Sequence, residues 1–193
     1  CRNRVFLVGN IHGVKYEFPK PDDKATRTTV ADAISDLPNL VNGDLIDRMP
    51  YKQKATSQYA KMLRGRSRYS YNNLVSFNSE LILERYKYIP QGGNWRDIPS
   101  ELMQNYTDCT RCHTGIYHRL SMEKPSSVIG NYRKNMLIHP IENRGLSVRE
   151  AARIQSFPDN FIFYGSIGQQ QQQVGNAVPP MLAKVVFEQL LRY

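Results

Sequence analysis

Residues 143–159 read NRGLSVREAARIQSFPD, and this stretch decides how the C-terminal third of the chain is interpreted. Ser147 and Glu150 stand three residues apart, in the spacing of a capping box, where each side chain accepts a hydrogen bond from the other residue's backbone N–H. The spacing predicts a helix that begins at Val148. We expect the helix to end just before Pro158, because proline lacks the N–H that a continuing helix needs.

A second ordered string, QVGNAVPP at residues 173–180, leads into the last part of the sequence. Its paired prolines suit the first turn of a helix, where a missing N–H breaks no hydrogen bond. We therefore expect a helix from the prolines to the end of the chain. Its buried face is predicted to consist of Leu182, Val185, Val186 and Leu190.

The first nine residues, CRNRVFLVG, contain a short apolar run closed by glycine. A continuous apolar run of this length is typical of a strand that is buried on both faces. No run of comparable quality follows, so most of its sheet is expected to lie outside this sequence. Because position 1 is Cys rather than Met, the sequence is interpreted as a piece of something longer.

Length and composition exclude several classes of protein. The 193 residues suffice for one large domain or two small ones. No apolar stretch approaches the ~20 residues that a membrane-spanning helix needs, so a transmembrane role is excluded. Three cysteines are too few for a disulfide framework in a chain of this length. These features indicate a reducing, cytoplasmic setting.

The positive charge of the chain is concentrated in one stretch. The formal net charge is +9, which suits a polyanionic partner such as nucleic acid. Residues 48–79 contain no acidic residue, and their basic residues are Arg48, Lys52, Lys54, Lys61, Arg64, Arg66 and Arg68. Tyrosines among them can stack on bases. The candidate DNA-binding residues are Lys61, Arg64, Arg66 and Arg68, and the alternative is a solvated basic loop.

The irregular middle of the chain contains two predicted helices and a loop of interest. The helices are expected at residues 29–36 and 79–88. The loop QGGNWRD at residues 91–97 has paired glycines, which allow a close backbone approach. Its candidate DNA-contacting residues are Gly92, Gly93, Asn94, Trp95 and Arg96. The alternative is a structural turn anchored by a buried Trp.

The string CTRCH at residues 109–113 leaves three interpretations open. It has the pattern of covalent haem attachment, although that chemistry belongs to oxidising compartments. Cys109 and Cys112 could bind zinc together with His113, His118 or His139. The third interpretation, a pair of ordinary intracellular cysteines, is preferred, and no metal is assigned.

The strings at residues 2–9, 143–159 and 173–180 resemble, in this order, the last three sequence motifs of the DNA cytosine-5 methyltransferases. Residues 89–99 and 117–120 also resemble parts of the target recognition domain in one branch of that family, so the resemblance covers essentially the whole chain. It implies an α/β fold: the edge strand and closing helix of a Rossmann-like S-adenosylmethionine-dependent methyltransferase domain. An irregular α+β target recognition domain lies between them, and the fold is incomplete without an N-terminal catalytic half.

The resemblance also implies a division of the chain. Its parts are the end of the catalytic domain at 1–18, the target recognition domain at 19–145, a supporting helix and connection at 146–173, and a cofactor-side loop with the C-terminal helix at 174–193.

The resemblance also implies roles for specific residues. Arg4 corresponds to the guanidinium that bonds the flipped target cytosine, and Arg2 is its partner. A fixed cation there would stabilise the negative charge that builds on the ring as a thiolate attacks carbon 6. Arg149 and Glu150 are expected to be structural. The segment that lines the S-adenosyl-L-methionine pocket is matched by Gly175, Asn176, Ala177 and Val178.

The family's Pro-Cys nucleophile and Gly-rich cofactor loop have no counterpart in this sequence. The resemblance therefore implies the C-terminal portion or subunit of a bacterial, restriction-modification type DNA cytosine-5 methyltransferase, inactive alone. Its expected partners are double-stranded DNA, S-adenosyl-L-methionine and the N-terminal catalytic half, in the same polypeptide or a separate subunit. The alternative is a free-standing, sequence-specific DNA-binding module that has lost catalysis. The presence of Arg4 and residues 175–178 favours the enzyme.

Overall fold

The computed structural model describes residues 5–9, 11, 13, 15–20, 26–106, 115–133 and 136–192. In these ranges the α-helices are α1 (Val30–Ile34), α2 (Gln58–Arg64), α3 (Glu80–Lys87), α4 (Val148–Ile154), α5 (Ile167–Asn176) and α6 (Pro180–Leu190). Two 3-10 helices span Trp95–Asp97 and Ser100–Met103, and the strands are β1 (Met49–Pro50) and β2 (Tyr69–Ser70). The two strands pair antiparallel, with Met49 opposite Ser70. The described part of the chain is therefore mostly helix and loop.

Helix α4 forms where the capping box predicts it. The Ser147 side chain accepts a hydrogen bond from the Glu150 backbone, and the Glu150 carboxylate accepts one from the Ser147 backbone. The predicted end at Pro158 is wrong, because α4 ends at Ile154. Ser156 adopts the left-handed region with φ 63°, and this reversal stops the helix before the proline is reached.

The main hydrophobic core surrounds α4. Val148, Ala151 and Ala152 are fully buried there, together with residues of α1, α5 and the segment before α4. Helix α1 begins against Met122 and Lys124, whose carbonyls accept hydrogen bonds from the Ala31 and Val30 N–H groups. The expected helices at 29–36 and 79–88 are thus present as α1 and α3, each slightly shorter than predicted.

A second, smaller core lies beside the first. It is built from buried residues of α3, of the 3-10 helices and of the segments around Tyr117 and Ile138. Arg119 and Ile138 form a bridge between two extended segments, and Ile138 also pairs with Gly145. Since Gly145 directly precedes the α4 region, this pairing connects the second core to the first.

Two elements predicted to be buried are exposed in the described chain. Residues 5–9 form no strand among the described residues, and Val5 and Leu7 are 83% and 93% exposed. Helix α6 exists as predicted, yet none of its residues is buried. The exposure of residues 5–9 agrees with the expectation that most of their sheet lies outside this sequence. The described residues do not cover the apolar side chains of α6 either, so its predicted burial stays a prediction. No described helix is long and apolar enough to cross a bilayer.

Candidate functional site

Helix α4 places a set of arginines inside the protein. Arg149 is fully buried and donates hydrogen bonds to the carbonyls of Tyr71 at 2.7 Å and Phe161 at 2.7 Å. It also donates to the Asn72 side chain at 3.1 Å. These contacts fasten the loops before and after α4 to the helix, so Arg149 acts as a structural crosslink.

Arg153, one turn further along α4, binds two carboxylates. It donates to Asp159 at 2.5 and 2.6 Å and to Asp36 at 3.1 Å. Burial opposes the charge, but the two carboxylates outweigh it and raise the pKa of Arg153. Because Asp36 follows α1 and Asp159 follows α4, this cluster joins the two helices through charge-assisted hydrogen bonds.

Glu150 is held by a third buried arginine. Arg144 donates to both Glu150 oxygens, at 2.7 and 2.8 Å, in a bidentate pair. Burial would raise the pKa of Glu150, but the Arg144 cation beside it lowers that pKa to about 2. Burial lowers the pKa of the adjacent His139, whose Nδ1 accepts N–H bonds from the backbone of Glu142 and Ile141. The structural role expected for Arg149 and Glu150 agrees with these contacts.

The predicted cofactor segment follows directly from α5. Gly175 and Asn176 form the last turn of the helix, Ala177 caps it and packs against the main core, and Val178 is exposed. A cavity of about 440 Å³ opens beside them. It is lined by residues 130–133, Gly168, Gln171, Gln172, Gly175 and Asn176.

The chemistry of this lining fits part of a nucleoside-containing cofactor. Glycine backbone and amide side chains can bond the polar edges of an adenosyl group. None of the described lining residues is a carboxylate that could accept from ribose hydroxyls. Of the predicted cofactor residues, Gly175 and Asn176 line this cavity, where their backbone and amide groups would suit one polar wall of a cofactor site.

The loop at residues 91–97 combines an anchor with an exposed cation. Trp95 packs against the second core, while Arg96 is exposed and lies 5.7 Å from the Trp95 ring centroid. Asn94 and Asp97 form a capping box. Gly93 packs closely against two nearby side chains: a Cβ at this position would lie 2.8 Å from Pro90 and 2.5 Å from Asp97.

His118 and Arg119 hold the same loop from the neighbouring segment. The Arg119 N–H donates to the Gly93 carbonyl at 3.1 Å, and the Gly92 N–H donates to the Arg119 carbonyl at 2.9 Å. His118 Nδ1 lies 3.0 Å from the Gly93 carbonyl oxygen. The exposed Arg96 is thus presented from a rigid base.

The basic stretch divides into exposed and engaged cations. Lys61, Arg66 and Arg68 are exposed, as a phosphate contact requires. Arg64 instead pairs with Asp36 at 3.4 Å and lies 3.7 Å from the centroid of the Tyr51 ring. Of the four predicted DNA-binding cations, Arg64 is therefore the one already engaged within the protein.

An exposed apolar surface runs along α6 and the first described residues. A cavity of about 230 Å³ between them is lined by residues 6–9, Val186, Phe187 and Leu190. The Tyr16 hydroxyl donates to the Val186 carbonyl at 3.0 Å, which ties the N-terminal segment to the helix. We call residues 5–9 and the apolar side chains of α6 the apolar seam.

Several predicted residues lie outside the described ranges. Arg2 and Arg4 are among them, and so are Cys109, Cys112 and His113. Among the residues that the structure does describe, no group of three or more His, Cys, Asp or Glu side chains is placed to hold a metal ion.

Comparison with known proteins places the chain in a family. A family model described as C-5 cytosine-specific DNA methylase matches residues 1–192. The chain belongs to the C-5 cytosine-specific DNA methylase family. The likeness inferred from the three motifs is thereby confirmed.

Individual relatives are methylases of bacteria and plants. The chain is 34% identical over 192 residues to a type II methyltransferase of Haemophilus parahaemolyticus, covering 99% of this chain and 44% of the relative. It is 29% identical over 210 residues to a type II methyltransferase of Desulfomicrobium norvegicum, covering all of this chain and 51% of the relative. It is 33% identical over 177 residues to DNA (cytosine-5)-methyltransferase 2 of Arabidopsis thaliana, covering 80% of this chain and 12% of the relative. The chain thus spans about half the length of the bacterial relatives, or less.

The fold agrees with this membership. A crystal structure of a prophage-encoded DNA modification methyltransferase of E. coli is similar with a TM-score of 0.65 and 21% identity, covering 88% of this chain and 48% of that one. The mixed helical architecture with a small sheet is therefore part of a methyltransferase fold.

Sequence reasoning missed one helix of this chain and most of its buried polar groups. Helix α5 contains the glutamine run 169–173, which shows no apolar periodicity. Its start carries a capping box between Ser166 and Gln169, the same signal that predicts α4. The buried arginines leave no comparable signal, because arginine in a basic chain is expected at the surface.

Proposed function

We propose that this chain is the DNA-recognising and cofactor-closing part of a cytosine-5 DNA methyltransferase. It acts with an N-terminal catalytic half that carries the nucleophilic cysteine, in the same polypeptide or as a separate subunit. The observation that carries the proposal is the apolar seam, together with the family membership of residues 1–192. In this proposal residues 1–18 and 174–193 belong to the catalytic domain, 19–145 recognise DNA, and 146–173 support them.

The seam has the character of an unfilled protein contact. The apolar side chains of α6 that are more than a third exposed are Met181, Leu182, Val185, Phe187 and Leu190. Contiguous exposed apolar surface of this kind marks interaction sites in soluble proteins. A strand at residues 5–9 would bury its side chains only by joining a sheet, which the catalytic half would supply.

DNA contact is assigned to two regions of different chemistry. The exposed Lys61, Arg66 and Arg68 would neutralise phosphates without regard to sequence. The exposed Arg96, held by the Trp95 anchor, would reach base edges in the major groove. Affinity and sequence preference would therefore reside in separate residues.

The chemical step would use residues at both ends of the chain. Arg4 would donate to the carbonyl oxygen of the flipped cytosine and stabilise the charge that develops as the partner's thiolate adds to carbon 6, with Arg2 beside it. Asn176, Ala177 and Val178 would hold one side of the cofactor. S-adenosyl-L-methionine supplies the methyl group when bound.

Complementation tests this proposal. The chain is mixed with a catalytic half that carries the Pro-Cys nucleophile, and transfer of tritiated methyl groups to duplex DNA is measured. We expect transfer by the mixture and none by either part alone. Phe187→Asp, which places a charge in the seam, should abolish transfer, whereas Lys184→Asp at an exposed position of the same helix should retain it.

The outcomes separate the two candidate functions. Sequence-specific DNA binding without methyl transfer in any mixture would support the free-standing binding module. Equal activity of the two aspartate variants would show that the seam is not the docking surface.

A further inference from the structure

The residue that caps the C-terminal end of α4, Gln155, contacts the chain on the upstream side of the cofactor segment. The Gln155 amide nitrogen donates to the carbonyl of Val174 at 3.0 Å and to the carbonyl of Ile129 at 3.1 Å. Gln155 is 8% exposed, so both hydrogen bonds are shielded from water. A single side chain thus clamps the end of α5 to the loop that begins at Gly130.

The residue after Gln155, Ser156, contacts the downstream side. The Ser156 hydroxyl oxygen accepts a hydrogen bond from the Met181 N–H at 3.1 Å, in the first turn of α6. Residues 175–180 therefore lie between two anchor points supplied by adjacent residues of one turn. The left-handed conformation of Ser156, with φ 63°, directs the chain into this arrangement.

Backbone packing at Gly175 also holds residues 175–180 in place. A Cβ added at Gly175 would lie 2.4 Å from the Gly130 carbonyl oxygen and 3.1 Å from the carbonyl carbon. These are backbone atoms, so α5 and the Gly130 loop are in direct contact at this point. The Gln155 bonds hold the two backbones together immediately beside that contact.

The two anchors differ in strength. The hydrogen bond between the Met181 N–H and the Ser156 hydroxyl is only partly buried, so water can replace the hydroxyl when it is removed. The carbonyls bound by Gln155 lie in the interior, where water does not replace a lost donor without rearrangement. Gln155 is therefore the stronger anchor of the pair.

We propose that Gln155 is a positioning residue for S-adenosyl-L-methionine, because its amide sets where Asn176, Ala177 and Val178 stand relative to the Gly130 loop. The proposal rests on the proposed function, in which these three residues line the cofactor. Gln155 itself contacts neither cofactor nor DNA. Its loss should weaken cofactor binding and leave DNA affinity unchanged.

The test compares Gln155→Met with Gln104→Met in the complete enzyme. Methionine keeps the side-chain length and removes the donors, and Gln104 is an exposed glutamine in the recognition part. Calorimetry measures the dissociation constant of S-adenosyl-L-methionine, and hydrogen exchange measures the opening of residues 174–178. For Gln155→Met we expect faster exchange and a dissociation constant raised roughly tenfold, as the loss of two buried hydrogen bonds implies.

A second variant keeps the test informative if Gln155→Met does not fold. Ser156→Gly preserves the left-handed turn, because glycine favours that conformation, and removes the hydroxymethyl side chain with its hydroxyl. It should accelerate exchange at Met181 and weaken cofactor binding by roughly threefold, the effect of one partly exposed hydrogen bond.

The exchange rates and the dissociation constant together test the positioning role of Gln155. Faster exchange at residues 174–178 with an unchanged dissociation constant would overturn the positioning role, and so would unchanged exchange. Those results leave the proposed function standing. A complete wild-type enzyme that binds no S-adenosyl-L-methionine would refute the proposed function instead.

Discussion

Replacing Glu150 by Gln should destabilise α4 by about 3 kcal/mol. The carboxylate accepts two hydrogen bonds from Arg144 and one from the Ser147 backbone at 2.8 Å. Removing one partner of a buried ion pair typically costs ~3 to 5 kcal/mol, because the remaining charge stays buried. Arg144 keeps its hydrogen bond to Glu142 at 2.5 Å, so we expect the lower end of this range.

The pKa of Glu150 gives the same magnitude by a separate argument. Burial would raise this pKa, but Arg144 outweighs it and lowers the value from 4.5 to about 2. One pKa unit corresponds to about 1.4 kcal/mol, so the difference is worth about 3 kcal/mol of stability. Since the folded pKa lies below the unfolded one, this stability is present above pH 4.5 and is lost as the pH falls toward 2.

Hydrogen exchange of the α4 amides in the complete enzyme measures this effect locally. Protection of these amides should fall roughly 100-fold in Glu150→Gln, which corresponds to about 3 kcal/mol. Glu142→Gln is the matched control: Glu142 is 33% exposed and binds the same arginine, so its loss should cost about 1 kcal/mol or less. Equal losses of protection in the two variants would refute the reasoning. So would a Glu150→Gln enzyme in which protection still declines below pH 4.5, as it does in the wild type.

Three further predictions concern the backbone contact and the DNA surface. Gly175→Ala should lower the thermal midpoint of the complete enzyme, because overpacking costs ~1 to 3 kcal/mol. Gly168→Ala should leave the midpoint unchanged, because its Cβ would meet only the end of a flexible side chain, at 3.6 Å. Lys61→Ala and Arg66→Ala should each weaken binding to all duplex sequences alike and reduce the slope of log affinity against log salt by about 1. Arg96→Ala should cost ~1 to 3 kcal/mol at the preferred site, measured as a loss of discrimination in competition binding; an unchanged site preference would exclude a base contact by this residue.

The helices that the sequence predicts best are those with local signals. The Ser147 capping box predicts the start of α4 because both of its hydrogen bonds are formed within four residues. The end of α4 was misplaced because the left-handed turn at Ser156 precedes Pro158, and Ser has no strong preference for that conformation. Helix α5 was missed although its capping box is equally local, since a glutamine run lacks the apolar periodicity that marks a helix.

Burial was predicted less well than helix position, because burial depends on neighbours distant in sequence. The spacing of apolar residues predicts the helix α6 itself, but whether its apolar side chains are covered depends on which chain meets them. The cofactor segment at 175–178 was predicted from a string of residues. Its anchors, Gln155 and the Gly130 loop, are linked to it only by the fold.

The buried arginines change how the net charge of +9 should be understood. Arg144, Arg149 and Arg153 are satisfied inside the protein by carboxylates and carbonyls, and Arg119 donates to the carbonyls of Tyr86, Ile89, His139 and Glu142. Such cations are unavailable for direct contact with phosphates, so the number of basic residues overstates how many can bind DNA. The exposed cations of residues 48–68 consequently account for a larger share of that attraction than composition alone indicates, and the salt dependence of DNA binding should be determined mainly there.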